Sequence, residues 1–564
     1  TTINAITNDG HLTINSALIN QSGLNNSGML ALNANVTNTG GIIKNGPTGI
    51  VSIGPSATLT GGTLVGVISN SGTISGVTYG SGAAGATING GTITGVSVTS
   101  GGGSTNTFNG SVTNTGSLTA GTGDTIVWQG GTNSGTLASG SGTLSITNSM
   151  SNTSGTISGA TYANGVTVTG GRIQGTSTIS GSATFSGVNN STTLNAAATG
   201  GALNFQGGTN SGTLQATGAG ATLTITGSVN NTGGAIIGAI NNGTISGGTV
   251  SGNTTGTAGT FNNVMFSGVN LTNGTITGAS NTMTGTNTLS GTVVNNGTLA
   301  VTSGTTTVAS GATLQTDSGT VNVTGGALNI EGTVDPASNF LLTSGSVTLS
   351  GTLDVSVADL LGGTIDGPGS FQGGVVNNGD GAADSGTQGV LLNVGGSVAS
   401  GGTGTGDYTF SDYNQDLGGS LGITFADTTQ GGLTGHDVLE VTGAGALLNG
   451  TLNLYNPTGA ELDTNTLTAG LTYELINDTG GAVGGPGFST VNAIGLTGRA
   501  FGTPGAAAGW WLVYNGSLSA GEGDVELVDV LSRTPPGTPE PATDILLGSA
   551  IVGLVILRKK LDRR

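Results

Sequence analysis

The sequence predicts an all-β fold: a right-handed parallel β-helix, or solenoid, followed by a smaller β-module and a single C-terminal transmembrane helix. Three observations predict it: internal repeats, aliphatic residues that alternate with small polar ones between glycine turns, and a short apolar run followed by cations at the C-terminus. We assign residues 1–402 to the solenoid, 403–531 to the β-module, 532–541 to a proline-rich spacer and 542–564 to the helix with its basic tail.

Internal repetition is the main evidence for the solenoid. The nine residues QGGTNSGTL occur at Gln129–Leu137 and again at Gln206–Leu214. Shorter copies have the same form, a turn of Asn, Ser or Thr with Gly, followed by Thr and an aliphatic residue in alternation. Alternation at period two is typical of a strand with one buried face, and the turn residues tolerate the backbone angles of sharp reversals. We expect the two nine-residue copies to be separated by about three to four coils.

The spacing of the turns predicts the length of a coil. In residues 298–334 the short strands TLAV, TTTV, TVNV and ALNI are separated by glycine turns, and three turn intervals from Gly304 to Gly326 span 22 residues. That length suits one coil of a three-sided parallel β-helix. Asn at recurring turn positions is expected to form side-chain ladders along the axis. A β-sandwich, or a string of small β-domains with the same turn chemistry, is the alternative fold.

Composition supports a thin, repeated core and excludes several classes of protein. Of 564 residues, 113 are Gly and only 6% are charged, against roughly 25% in an ordinary soluble domain. The absence of Cys excludes disulfides, thiolate catalysis and cysteine metal sites. The net charge is −18, and residues 1–316 contain only Asp9, Lys44, Asp124 and Arg172 as charged residues. No basic stripe is present to neutralise phosphates, so we expect no nucleic-acid partner.

Charged and aromatic residues become more frequent after residue 400, and Tyr408 to Val530 is the predicted β-module. Three segments occur there in order: DVLEVTG at Asp437–Gly443, GTLNL at Gly450–Leu454 and YELI at Tyr473–Ile476. This order resembles a module near the C-terminus of bacterial surface β-solenoid proteins, including autotransporter-type passengers. The resemblance covers about 120 residues and implies a class of protein rather than an activity. No alternating-strand membrane barrel follows the module, which departs from true autotransporters.

The last residues of the chain combine three elements. A proline-rich spacer leads into Pro539-Glu540-Pro541, an apolar run extends from Ile545 to Leu557, and a basic cluster ends the chain. Thr543 or Asp544 is suited to cap a helix that begins here. Cations prefer the cytoplasmic side of a membrane, so we expect the C-terminus inside the cell and the rest of the chain outside it. Because the chain starts at Thr1 without a signal segment, we also expect processing or truncation at the N-terminus.

This tail resembles the PEP-CTERM sorting signal, which joins a Pro-Glu-Pro motif, a short membrane helix and a terminal basic cluster. The resemblance implies that an exosortase, a membrane-embedded processing enzyme, recognises Pro539, Glu540 and Pro541 and delivers the protein to the cell surface or extracellular space. Asp544 departs from the family pattern, which is usually uncharged there. The implied setting is a bacterium that makes extracellular polysaccharide or biofilm. The implied stop-transfer cluster is Arg558, Lys559, Lys560, Arg563 and Arg564.

The sequence predicts no catalytic residues, no metal and no cofactor. Enzymes on parallel β-helices use clusters of Asp, Lys or Arg, which four charged residues in 316 positions do not supply. We interpret His436 as a polar surface residue, because no Ser–His–Asp partners are identified for it. Asp380 and Asp384 lie in a Gly-rich segment that we interpret as a solvated loop rather than a calcium site. The run Thr305–Thr307 is expected to be ordinary outward-facing strand residues.

The favoured function is an exported cell-surface or extracellular-matrix structural protein, sorted by an exosortase and linked to exopolysaccharide or biofilm. The first alternative is an adhesin that binds polysaccharide or another cell, which a charged or aromatic groove would favour. The second is a polysaccharide-degrading enzyme, which a cleft joining several late carboxylates with His436 or Arg499 would favour.

Overall fold

A computed structural model of the chain divides it into two compact units, Thr1–Ser338 and Asn339–Arg564. The structure describes residues 1–256, 259–316, 318–335, 339–360, 363–366, 370–377, 389–393, 407–415, 420–425, 427–429, 431, 435–436, 438–456, 460–478, 483, 486–501, 504–505, 507–516 and 523–530. The predicted boundary between residues 402 and 403 lies outside these residues.

The first unit consists of short strands joined by tight turns, and its strands pair in parallel with strands about one coil away. The strands, β1 to β45 in chain order, are Thr2–Asn8, His11–Ile14, Leu18–Asn26, Met29–Leu32, Val36–Thr37, Ile42–Asn45, Ile50–Ile53, Thr58–Thr60, Thr63–Asn70, Thr73–Ser75, Thr78–Tyr79, Ala86–Asn89, Thr92–Thr94, Val96–Thr99, Thr105–Asn109, Thr113–Asn114, Ser117–Thr119, Thr125–Gln129, Thr132–Asn133, Thr136–Ala138, Thr143–Asn148, Met150–Ser151, Thr156–Ser158, Ala160–Tyr162, Val166–Thr169, Arg172–Gln174, Ser177–Ile179, Ser182–Asn190, Thr193–Ala196, Ala202–Asn210, Thr213–Ala216, Thr222–Asn230, Ala235–Ile237, Ala239–Asn241, Thr244–Ser246, Thr249–Thr255, Thr260–Asn262, Met265–Thr277, Asn281–Thr284, Thr286–Asn295, Thr298–Val301, Thr305–Val308, Thr313–Gln315, Thr320–Ile330 and Thr333–Asp335.

The predicted parallel β-helix is confirmed: the fold is an all-β solenoid of about 18 turns. Thr298 pairs with Thr320 and Thr305 pairs with Ala327, so the 22-residue coil expected in this segment is also confirmed. Coil length varies elsewhere, because the turns between strands vary in length: Thr58 pairs with Thr73, 15 residues on, and Thr451 pairs with Thr490, 39 residues on.

The two copies of the nine-residue repeat lie in different columns of the solenoid. The column of Leu137 continues through Ile157, Ile173 and Asn190 to Asn210, which places four coils between Leu137 and Asn210. Leu214 lies four residues further along the chain and pairs with Leu194 in another column. The same sequence therefore occurs on two different sides of the coil, because each side requires only a turn and an inward-facing aliphatic residue.

The core of the first unit is narrow, and each strand contributes its alternate, inward-facing residues to it. In β41 the burial alternates, with Leu299 and Val301 inside and the intervening side chains at the surface. Aromatic residues fill part of the interior: Phe108 stacks on Trp128 with ring centroids 5.8 Å apart, and Tyr79 meets Phe108 edge-on at 5.0 Å. Burying each large apolar side chain contributes roughly 1.5–3 kcal/mol, so stability accumulates coil by coil.

Buried asparagines form ladders along the solenoid, as the sequence predicts. Asn114 Nδ2 donates to Asn133 Oδ1 at 2.8 Å, and Asn133 Nδ2 donates to Asn152 Oδ1 at 2.6 Å. All three side chains are fully buried. Equivalent three-residue ladders join Asn8, Asn26 and Asn45, and Asn190, Asn210 and Asn231.

A glycine pair follows the last asparagine of two of these ladders. One coil after Asn152 stand Gly170 and Gly171, and Asn152 Nδ2 donates to the carbonyl oxygen of Gly170 at 3.4 Å. A Cβ added to Gly171 would lie 1.9 Å from the carbonyl oxygen of Asn152 and 2.3 Å from its Nδ2. Gly248 has the same relation to Asn231. The terminal amide therefore packs directly against backbone, and only glycine leaves room for it.

The second unit begins with parallel pairs and ends with antiparallel ones. Its last strand is antiparallel to both the strand at Thr472–Asp478 and the strand at Gly509–Gly516. The strands, β46 to β59, are Asn339–Leu349, Thr352–Leu360, Gly363–Asp366, Ser370–Asn377, Gly389–Asn393, Asp407–Gln415, Ser420–Thr424, Val438–Leu447, Thr451–Tyr455, Thr472–Asp478, Thr490–Asn492, Leu496–Phe501, Gly509–Gly516 and Gly523–Val530.

The predicted fold class is wrong in its last element, the C-terminal transmembrane helix. The fold is about 1% helical, and within the described residues the single helical element is the 3-10 turn Thr464–Thr466. No helix in the described part of the chain is long and apolar enough to cross a membrane. Residues 542–564 lie outside the described part. The physical reason is length, because the apolar run from Ile545 to Leu557 would rise about 20 Å as a helix, against a hydrocarbon core of roughly 30 Å.

Replacing the middle amide of a ladder, Asn133→Ala, is expected to destabilise the coils around it by about 3 kcal/mol. The substitution takes one of two acceptors from Asn114 Nδ2, which keeps the Thr136 carbonyl oxygen, and takes the Asn133 donor from Asn152 Oδ1. An unsatisfied buried polar group costs roughly 1–3 kcal/mol. Hydrogen exchange of the full chain measures the effect, with faster exchange expected in β16, β19 and β22. The exposed Asn148→Ala is the control. Equal protection in both variants would contradict a stabilising role for the ladder.

Candidate functional site

The second unit contains a surface pocket of about 320 Å³. It combines aromatic rings, one cation and small polar groups, and no carboxylate, histidine or cysteine is among its lining residues. The lining residues are Asn449, Pro486, Gly487, Phe488, Ser489, Arg499, Phe501 and Tyr514.

Two neighbouring strands supply the aromatic and basic groups. β57 alternates in burial and turns Thr497, Arg499 and Phe501 outward. It runs parallel to β58, and their register places Phe501 beside Tyr514. The two rings stack with centroids 4.8 Å apart and an interplanar angle of 21°. Tyr514 is buried at 1% exposure whereas Phe501 is 59% exposed, so Tyr514 forms a fixed base under an exposed ring.

The segment before β56 closes the other side of the pocket. The backbone N–H of Phe488 donates to the Tyr514 hydroxyl oxygen at 3.0 Å, and Arg499 Nη1 donates to the Phe488 carbonyl oxygen. Gly487 has φ +73°, and a Cβ there would lie 2.8 Å from Cζ of Tyr514. Glycine is required at this position because the chain crosses the face of the tyrosine ring. Ser489 Oγ donates to the carbonyl oxygen of Gly450 at 2.7 Å, which ties this segment to the turn before β54.

The charge of the pocket comes from Arg499. It is the only Lys or Arg between residues 173 and 532, although 25 acidic residues lie from Asp317 onward. Burial raises the pKa of the Tyr514 hydroxyl, and the nearby Arg499 charge acts in the opposite direction without cancelling that effect. The phenol is therefore neutral at physiological pH. An exposed aromatic face beside a guanidinium suits a ligand with an apolar ring and an anionic group.

Most of the residues singled out in the sequence are not brought into this pocket. Arg499 is the exception. The sorting motif at 539–541, the basic cluster at 558–564, and Asp380 and Asp384 lie outside the described residues. Thr306 is fully buried and receives a hydrogen bond from Asn287 Nδ2 at 3.3 Å, so the expectation that the whole threonine run faces outward is wrong.

The expectation that His436 is a surface residue is also wrong. Its side chain is fully buried and stacks on Phe425 at 5.0 Å, with Tyr473 at 5.7 Å. Its Nε2 lies 2.6 Å from the carbonyl oxygen of Glu474. An imidazole with a backbone hydrogen-bond partner is readily accommodated among aromatic rings. No sequence pattern reveals that Phe425 and Tyr473 contact His436. Sequence reasoning also missed Phe501 and Tyr514, which become neighbours only through strand register.

The first unit contains a buried carboxylate, that of Asp124. Its oxygens accept backbone N–H groups of Gly101 at 2.6 Å, Gly102 at 3.0 Å and Ser104 at 2.7 Å. Burial by itself raises the pKa of Asp124, but hydrogen bonds from the Thr99 side chain and the backbone of Gly101 and Ser104 outweigh burial and lower the pKa to about 2. The ionised side chain fixes the turn of the preceding coil and is a structural element.

Comparison with known proteins finds no family model that matches the chain and no similar curated protein. The class that the geometry defines is a β-solenoid repeat protein. This fold is compatible with a surface or structural protein.

Replacing Asp124 with Asn is expected to destabilise the protein by about 2 kcal/mol at neutral pH, from a folded pKa of about 2 and an ordinary value near 3.9. Because the folded pKa is depressed, this stabilisation is fully present above about pH 4 and is lost as the pH falls towards 2. Urea unfolding followed at several pH values measures it, with the exposed Asp9→Asn as control. A difference between wild type and Asp124→Asn that does not shrink below pH 4 would exclude the ionised carboxylate as its source.

Proposed function

We propose that the protein is an exported structural component of a cell surface or extracellular matrix, in which the solenoid acts as a rigid spacer. The observation that carries this proposal is the coil-on-coil stacking of buried aliphatic residues and of three-residue asparagine ladders in the first unit. The fold has about 18 turns, and neighbouring strands in such a stack are roughly 4.8 Å apart. Each coil contacts its neighbours on both sides, so bending it means breaking hydrogen bonds and core contacts together.

The scarcity of charge supports an extracellular spacer. Only four charged residues occur in residues 1–316, so changes in external salt act on few interactions there. Lys44 and Arg172 are the only Lys or Arg residues before Arg499, which leaves few sites for trypsin-like proteases. A surface built from Thr, Ser, Asn and Gly remains hydrated without presenting a strong field to other molecules.

We also propose that the protein is delivered to the surface by an exosortase that recognises Pro539-Glu540-Pro541, with Arg558, Lys559, Lys560, Arg563 and Arg564 as the basic cluster. The support is the resemblance of the final residues to the PEP-CTERM signal. Two prolines disfavour helix at and before the motif, and a processing enzyme requires such an extended segment.

An adhesin that binds polysaccharide is the second candidate function. The pocket of Arg499, Phe501 and Tyr514 favours it, since an aromatic or charged surface is the feature expected of that alternative.

The spacer proposal predicts resistance to a protease of broad specificity. Proteinase K applied to the full chain is expected to digest the first unit about a hundredfold more slowly than the urea-unfolded chain, because cleavage requires local opening. Mass spectrometry of the timed digest identifies the surviving fragment. Rapid cleavage at Asn–Gly turns throughout residues 1–338 would reject the rigid spacer.

The sorting proposal predicts that replacing Pro539, Glu540 and Pro541 with Ala blocks processing in the producing cell. The expected result is a cell-retained chain of full C-terminal mass, measured by fractionation and intact-mass spectrometry. The matched control replaces Pro535 and Pro536, two spacer prolines outside the motif. Normal mass and location in the motif variant would remove the sorting proposal, and retention of both variants would assign the effect to the spacer.

A further inference from the structure

We propose that the pocket formed by Asn449, Ser489, Arg499, Phe501 and Tyr514 binds a carboxylated sugar residue of an acidic polysaccharide. This inference rests on the adhesin candidate and specifies its ligand. Phe501 supplies the surface for the sugar ring, Arg499 pairs with the carboxylate, and Asn449 and Ser489 lie where hydroxyl groups need partners.

The first argument is the exposure of Phe501. Among the described residues it is the only aromatic among the exposed large hydrophobic side chains. Its ring is held by stacking on buried Tyr514, so one face is covered and the other is presented in a fixed orientation. Isolated exposed aliphatic residues are ordinary, but a fixed aromatic face at the rim of a pocket is suited to stack on a flat, partly apolar ligand. The C–H face of a pyranose ring is such a surface.

The second argument is the position of Arg499. Arg499 hydrogen-bonds the Phe488 carbonyl oxygen and the Tyr514 side chain, which leaves further N–H donors of its five for an anion. No carboxylate lines the pocket, and within the described residues Arg499 makes no salt bridge. The only Lys or Arg between residues 173 and 532, a stretch with 22 acidic residues, thus faces a pocket rather than one of those acids.

The third argument concerns size and charge. A pocket of about 320 Å³ is at the lower end of the roughly 300–1,000 Å³ range of ligand sites, so it accommodates about one sugar ring and not a long cleft-bound chain. The phenol beneath Phe501 is neutral, and the charge of the pocket is that of Arg499 alone. No carboxylate lines the pocket, and charges more than roughly 8 Å away are largely screened at physiological salt.

The test uses the full chain and two matched probes, oligogalacturonate and the same oligosaccharide with its carboxylates methyl-esterified. Isothermal titration calorimetry is expected to show binding of the acid form and at least about tenfold weaker binding of the ester, since a charge-assisted bidentate contact is lost. Arg499→Lys and Phe501→Leu are each expected to weaken acid binding at least about tenfold. Lysine keeps the charge but not the fork, and leucine keeps apolar volume but not the flat face.

Two controls separate the pocket from general effects. Ile494→Ala removes an exposed apolar side chain outside the pocket, and Arg172→Gln removes an exposed cation of the first unit. Both are expected to change acid binding by less than about twofold. Near-ultraviolet circular dichroism of each variant reports on the aromatic packing around Tyr514 and identifies a variant that has lost the pocket by misfolding. If Phe501→Leu is such a variant, the result for Arg499→Lys decides.

Equal affinity for acid and ester, unchanged binding in Arg499→Lys, or no binding of either probe by the wild type at millimolar concentration would each overturn the proposal. Equal loss in Arg172→Gln and Arg499→Lys would also overturn it, because long-range attraction would then explain the binding. Failure here leaves the spacer proposal intact if the first unit still resists proteinase K. Rapid digestion together with selective acid binding would reject the spacer and retain the pocket.

Discussion

Each coil of the solenoid is held in place by the coil before it and the coil after it, and the amide ladders impose the strictest condition on that stacking. A buried amide is costly unless its donors and acceptor are matched, and in this fold the match comes from the same position one coil away. Asn133 is satisfied by Asn114 on one side and Asn152 on the other. A shift of one residue would turn the amides outward and the neighbouring threonines inward, so the ladders fix the register of the whole coil.

Glycine completes this arrangement where a ladder ends. The pair Gly170-Gly171 lets the amide of Asn152 pack against backbone, and the pair Gly247-Gly248 does the same for Asn231. The high glycine content of the chain is therefore in part a consequence of burying amides in so narrow a core. Because each ladder is closed after a few coils, the solenoid tolerates coils of different length between ladders.

The sequence predicts the parts of the fold that depend on local pattern. Turn spacing in residues 298–334 predicts the 22-residue coil, and recurrent asparagines predict the ladders. Both features depend only on a strand and the strand next to it. The repeat at 129–137 and 206–214 predicts a solenoid but not the columns, since one pattern of turn and aliphatic residue fits any side. The C-terminal helix was predicted from an apolar run followed by cations and from the resemblance of the tail to a sorting signal, although the run is too short to span a bilayer unaided.

The candidate site was less predictable because it depends on contacts between distant segments. Arg499 was singled out only for its position among scarce basic residues. Phe501 and Tyr514 carry no local pattern, and they meet because β57 and β58 pair in one register out of several that their sequences permit. His436 illustrates the same limit, as its burial depends on Phe425 and Tyr473.

The two units differ in two properties that conflict within one surface: uniform stacking and specific charged contacts. A stacked coil is stable because every side repeats the same small, uncharged turn chemistry, and that uniformity leaves few places for a specific charged contact. The second unit departs from uniform stacking at β57 to β59, where parallel and antiparallel pairs meet and the segment at Gly487 crosses Tyr514. A concave surface of mixed chemistry forms where these parallel and antiparallel pairs meet. The irregular second unit therefore offers a kind of surface that the repeated coils of the first unit do not form.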